Sequence, residues 1–103
     1  LSETRLDLPV VDRKDVRCRY FARFTVKDQP GVIAAVSSEL ASRGISIASV
    51  VQHENKIDPE RGVPLVVITY ETTVGAMAEA VAAIDRHDIM MQPAHTIRIM
   101  DSL

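Results

Sequence analysis

Tryptophan is absent from this 103-residue chain, and its aromatic residues are two Phe and two Tyr. The core must therefore be built from Val, Ile, Leu, Ala and Met. A sheet that reads single-stranded RNA needs stacked aromatic platforms on its central strands, and Tyr20, Phe21 and Tyr70 are too few to supply them. Cysteine occurs once, at Cys18, which excludes an internal disulfide framework and fits a reducing compartment. A small residue near the start of a strand accounts for Cys18 better than a nucleophile does. An excess of either charge is also missing: 12 basic and 14 acidic residues leave a net charge of −2. No broad field draws phosphate backbones or anionic lipid, so neither nucleic acid nor a membrane is an expected partner. No apolar run is long enough to cross a bilayer, and the start lacks the features of a signal peptide; a cytoplasmic location is expected. The four glycines fall at 31, 44, 62 and 75, so the chain has no G-x-G-x-x-G or Walker loop and no cofactor of its own is expected. His53, His87 and His95 show no metal-ligand spacing. No catalytic residue emerges, since Ser37, Ser38 and Ser42 read as helix surface.

What the chain does have is one organising stretch, Lys27 to Ile47. It reads as a strand end, a tight Asp28-Gln29-Pro30-Gly31 turn, an amphipathic helix, a stop at Gly44 and the start of a second strand. Pro30 has no N–H to donate and a near-helical φ, which suits a first helical turn, while Gly31 lets another group approach the backbone. The amides of Gly31, Val32 and Ile33 are then the orphan donors of a helix N-terminus, where the dipole favours an anionic ligand group. The turn is a candidate carboxylate site. Asp28 either orients a ligand's ammonium group or caps the helix.

Residues 1–18 are charged and irregular and read as a linker from a preceding region, with Leu8 to Val11 as a short extended piece. From Tyr20, alternation places Tyr20, Ala22, Phe24 and Val26 on one face of a strand. Val32, Ile33, Ala35, Val36 and Leu40 form the apolar stripe of the first helix, and Gly44 closes it. A second strand over 45–54 puts Ile45, Ile47 and Val51 on one face and Ser46, Ala48, Val50 and Gln52 on the other. Residues 55–62 are a polar turn, expected to be mobile. The run 63–70 is apolar on both faces and belongs at the centre of a sheet. Two helices can cover only one face, so the other is expected to meet a partner. Thr73 is a suitable N-cap for a second helix with the stripe Val74, Met77, Val81 and Ile84. A last strand over 94–100, preceded by Pro93, is expected at an edge. This order predicts an α+β ferredoxin-like βαββαβ fold: a four-stranded antiparallel sheet with two helices on one face and the first and third strands central.

Three stretches, Asp28-Gln29-Pro30-Gly31-Val32-Ile33, Gly44-Ile45-Ser46-Ile47-Ala48-Ser49-Val50 and Gly62-Val63-Pro64-Leu65-Val66-Val67-Ile68-Thr69, resemble the ACT domain, a small regulatory module that binds amino acids. With Gln52 and Glu71-Thr72-Thr73, the run from Tyr20 to Met100 is similar to the C-terminal ACT domain of the homoserine dehydrogenases. The resemblance implies that residues 19–103 are a regulatory domain following a catalytic region that uses NAD(P), with threonine as feedback effector. It implies ligand contacts at Asp28, Gln29, Pro30, Gly31, Val32 and Ile33, and at Ser46, Ile47 and Gln52. Ser46 stands where many ACT domains carry asparagine, which implies a smaller hydroxyl contact. Gln52 is equally explained as a polar residue on an edge strand. The resemblance also implies that the second strand pairs with its copy in a homodimer, or a higher assembly formed through the sheet edge or face, so that one copy's turn and the other's strand enclose the ligand.

Two functions compete on these residues: a sensor of a free amino acid, and a dimerisation module with no ligand. A hydrolase on this fold would need a phosphate cradle with a placed Arg, for which the Asp28 to Gly31 turn is unsuitable.

Overall fold

The computed structural model describes residues 13–99. A 3-10 turn at Arg13–Asp15 leads into β1 (Arg17–Val26), followed by α1 (Val32–Ala41), β2 (Ile47–Gln52), a second 3-10 turn at Pro59–Arg61, β3 (Val63–Thr69), the two-residue β4 (Thr72–Thr73), α2 (Val74–Asp85) and β5 (His95–Ile99). All pairings are antiparallel; β1 lies between β3 and β5, and β2 flanks β3. The expected four-strand order therefore holds, with the first and third strands central. β4 is an addition that pairs Thr72 with Cys18 and Thr73 with Arg17. That pairing starts β1 three residues earlier than the alternation from Tyr20 predicts. Of the segment expected as a linker, residues 1–12, including Leu8 to Val11, lie outside the described residues. The turn at Arg13–Asp15 packs on α2. The last strand ends at Ile99, and Met100 lies outside the described residues.

Strict alternation in β1 buries Tyr20, Ala22, Phe24 and Val26, and β3 does the same with Val63, Leu65, Val67 and Thr69. Onto this face α1 sets Val32, Val36 and Leu40, and α2 sets Met77, Ala80 and Ile84, closing one apolar cluster. Burying each Val, Leu, Ile, Met or Phe side chain among these contributes about 1.5–3 kcal/mol. Two stripe assignments shift. Ile33 is 39% exposed, because Val32, Val36 and Leu40 at i, i+4 and i+8 already face the sheet and Ile33 lies about 100° round the helix. In α2 the small Ala80 and Ala83 take the centre of the contact, leaving Val74 and Val81 half-buried at its margin.

β2 departs most from its expected pleat. Its register with β3 slips between Ile47 and Ser49: Ile47 pairs with Thr69, Ser49 with Ile68 and Gln52 with Leu65. This β-bulge inserts one residue and inverts the alternation beyond it. Ile47 and Val51 consequently sit on opposite faces, and Gln52 shares the face of Ile47 instead of that of Ser46. Residues 55–62 are stitched together by Asn55, whose Nδ2 donates to the carbonyls of Asp58 at 2.7 Å and Gly62 at 3.0 Å, and whose Oδ1 accepts from the amides of Ile57 and Asp58. The second face of the sheet carries half-buried Phe21, Val66 and Ile68 beside Ile97, which is 62% exposed.

Candidate functional site

β1 delivers the chain to the Asp28 turn at the end of the sheet where Val26 pairs with Val63. The turn is anchored from below: the Lys27 amide donates to the Ile89 carbonyl at 2.8 Å, and the Met91 amide donates to the Thr25 carbonyl at 2.9 Å. Pro30 does not enter the helix as expected; it sits in the turn, and Gly31 is the N-cap with φ of 90°. That left-handed conformation suits glycine, and a Cβ built on Gly31 would meet nothing within 4 Å, so the backbone there is open to solvent. Gly31 has no side chain to cap with, and among the described residues no first-turn amide donates to the Asp28 carboxylate, so Asp28 does not act as the helix cap. The first-turn amides of Val32, Ile33 and Ala34 have no carbonyl within the helix to bond. No ion pair or hydrogen bond engages the Asp28 carboxylate among the described residues.

Asp28 is the shared wall of two cavities. One, of about 150 Å³, is lined by Asp28, Gln52, His53, Glu54 and Val63. The other, of about 410 Å³, is lined by Lys27, Asp28, Pro59, Glu60, Gly62 and Met91. Gly62 is required at this spot: a Cβ would come within 2.8 Å of the Val26 carbonyl oxygen and of Met91 Cγ. The fold thus brings Asp28, Gln29, Pro30, Gly31, Val32 and Ile33 to the same end of the sheet as Gln52. It does not bring Ser46 and Ile47 there. They lie at the far end of β2, where Ile47 pairs with Thr69, about 16 Å away along the strand. His53, Glu54, Glu60 and Met91 were not singled out from the sequence. His53 and Glu54 fall inside the second strand expected over 45–54 and follow Gln52 directly, which is the signal they carry; Met91 comes from the second half of the chain and carried no signal. Among the described residues no three His, Cys, Asp or Glu side chains cluster closely enough to hold a metal ion. Nor is any helix among them long and apolar enough to cross a membrane.

Comparison with known proteins gives these features a context. The ACT domain model matches residues 20–86. A homoserine dehydrogenase from Mycobacterium bovis is 37% identical over 95 residues, spanning 89% of this chain and 21% of the relative. One from Pseudomonas aeruginosa is 30% identical over 93 residues, with 90% and 21% covered. This chain therefore spans about a fifth of the length of these curated relatives. The crystal structure of a homoserine dehydrogenase from Thiobacillus denitrificans superposes with a TM-score of 0.79 at 29% identity, over 92% of this chain and 20% of that one. The regulatory subunit of aspartate kinase from Thermus flavus shares the fold, with a TM-score of 0.54 at 23% identity over 82% and 52% of the two chains. The strand order, the open Pro-Gly turn and a family match that takes in both helices lead to one conclusion: the chain belongs to the ACT domain family.

Proposed function

We propose that this chain is the amino-acid-sensing regulatory domain of a homoserine dehydrogenase-like enzyme, and that threonine bound at the Asp28 turn is its feedback inhibitor. The observation that carries this reading is the open start of α1, where first-turn amides with no partner inside the helix share one turn with the exposed, unpaired Asp28 carboxylate. A zwitterion needs that pairing: donors at a positive helix end for its carboxylate, and a carboxylate for its ammonium group. The length and identity shared with homoserine dehydrogenases support the choice of parent. In this reading NAD(P) belongs to the catalytic region of the longer protein, because the glycines at 31, 44, 62 and 75 form no dinucleotide loop.

The separation of Ser46 and Ile47 from the turn supports a two-copy site. β2 is an edge strand. Antiparallel pairing with its copy about a two-fold axis would carry the partner subunit's Ser46 and the partner subunit's Ile47 to the Gln52 end, beside Asp28. Threonine would then touch both copies. It can inhibit only by binding better to the less active arrangement than to the active one, since differential affinity alone shifts an equilibrium.

Calorimetric titration with threonine, with isoleucine, serine and methionine as comparators, tests the reading. Threonine is expected to bind, and Asp28→Ala to weaken it at least about tenfold, a loss of about 1.4 kcal/mol, while sedimentation shows the dimer intact. No heat at millimolar threonine would overturn the sensor. The second reading, a dimerisation module with no ligand, is favoured by Val50 and Val51 on the β2 edge, 40% and 43% exposed. It predicts a dimer indifferent to every amino acid tested.

A further inference from the structure

Away from the Asp28 turn, a concavity of about 480 Å³ lies between α2 and β5. Its helix wall is a second apolar stripe, Val74, Ala78, Val81 and Ala82, on the side of α2 turned away from α1's contact. Its sheet wall is Thr96 and Arg98, which pair with the buried Ala22 and Tyr20 and so lie on the helix side of β5. Asp85 marks one end, its Oδ1 accepting the Ala94 amide at 3.0 Å, and Arg98 marks the other. From Arg98 through Thr96 of β5 to Ala94, just before the strand, the chain covers about 13 Å. Among the described residues, no strand pairs with the outer edge of β5, and four of its five residues are exposed.

An unpaired edge beside a helix-lined groove takes an extended strand: the backbone ladder holds it and alternate side chains enter the groove. A second copy is a poor occupant if β2 already pairs with its copy, because two such edges used together would extend the sheet without closing. In that step alone the inference rests on the function proposed above. We propose that the β5 edge and the α2/β5 groove form a second docking site, for an extended peptide segment lying antiparallel to β5. The segment carries a carboxylate opposite Arg98, a small aliphatic side chain opposite Thr96 against Ala78 and Ala82, and a cation opposite Ala94 beside Asp85. The position opposite Ile97 points to the other face and is apolar.

The test is an amide NMR titration of the isotope-labelled chain with the capped pentapeptide Asp-Val-Val-Thr-Lys. Shifts on β5 and α2 with a dissociation constant of about a millimolar or tighter are expected, and the charge-reversed Lys-Val-Val-Thr-Asp binds at least about tenfold more weakly. Arg98→Glu transfers the preference to Lys-Val-Val-Thr-Lys, and Ala82→Leu, which fills the groove from an exposed position, removes binding without lowering the melting temperature. Blocking the β2 edge with Val50→Lys and Val51→Lys leaves peptide binding unchanged, which separates this site from the amino-acid sensor. Absence of shifts at β5, shifts confined to β2, or indifference to charge reversal would overturn the proposal. So would β5 shifts that follow protein concentration without peptide, which would assign the edge to a second copy.

Discussion

Glu39 joins the two helices: its Oε1 accepts from Arg43 Nη1 at 2.9 Å, and its Oε2 lies 2.9 Å from His87 Nε2. The His87 hydrogen bond and then the Arg43 contact hold the carboxyl below its usual value of 4.5. A carboxyl depressed in the folded state contributes stability that is present above the unfolded value and disappears as pH falls through the folded one. The melting-temperature gap between the parent chain and Glu39→Gln is therefore expected at pH above 4.5 and should close on acidification. A gap that does not vary with pH would mean that the ionised carboxylate contributes nothing. Single residues were unevenly legible. Asp28, Gly31 and Thr73 announce themselves by type and spacing. Ile33 does not, because two adjacent apolar residues at a helix start compete for one face and the sequence does not say which wins.

Among the elements, α2 is the one whose start has an explicit device: Thr73 Oγ1 accepts the Ala76 amide at 3.1 Å. Thr73→Ala removes that acceptor and is expected to cost about 1 kcal/mol, read as a lower urea midpoint at unchanged slope. α1 has no such cap, so within the chain its first turn is held by Val32 in the core. β1 and β3 were readable because unbroken alternation leaves a regular trace in the sequence. β2 was not: nothing in Ile47-Ala48-Ser49-Val50-Val51 marks the bulge, which arises only when the strand is laid against β3. The 55–62 segment was readable as a polar turn, but not the part Asn55 plays in it, whose four hydrogen bonds are made only once the chain has turned.

At the scale of the whole molecule, the sheet presents two open edges among the described residues, and β2 is the one proposed to meet a second copy. Val50→Lys together with Val51→Lys should weaken self-association at least about tenfold by sedimentation, with the melting temperature of the separated chain little changed because both positions are exposed. A dimer that survives this change would move the contact to another surface. The half of the candidate site around the turn was legible locally; Met91 and Glu60 were not, because long-range pairing of Val26 with Val63 and with Met90 brings them in. The slip at Ala48 has a consequence for partner choice. An edge whose pleat changes phase midway offers a strand of even rhythm a match over only part of its length. A one-residue irregularity thereby narrows which strands can lie along the whole of this edge.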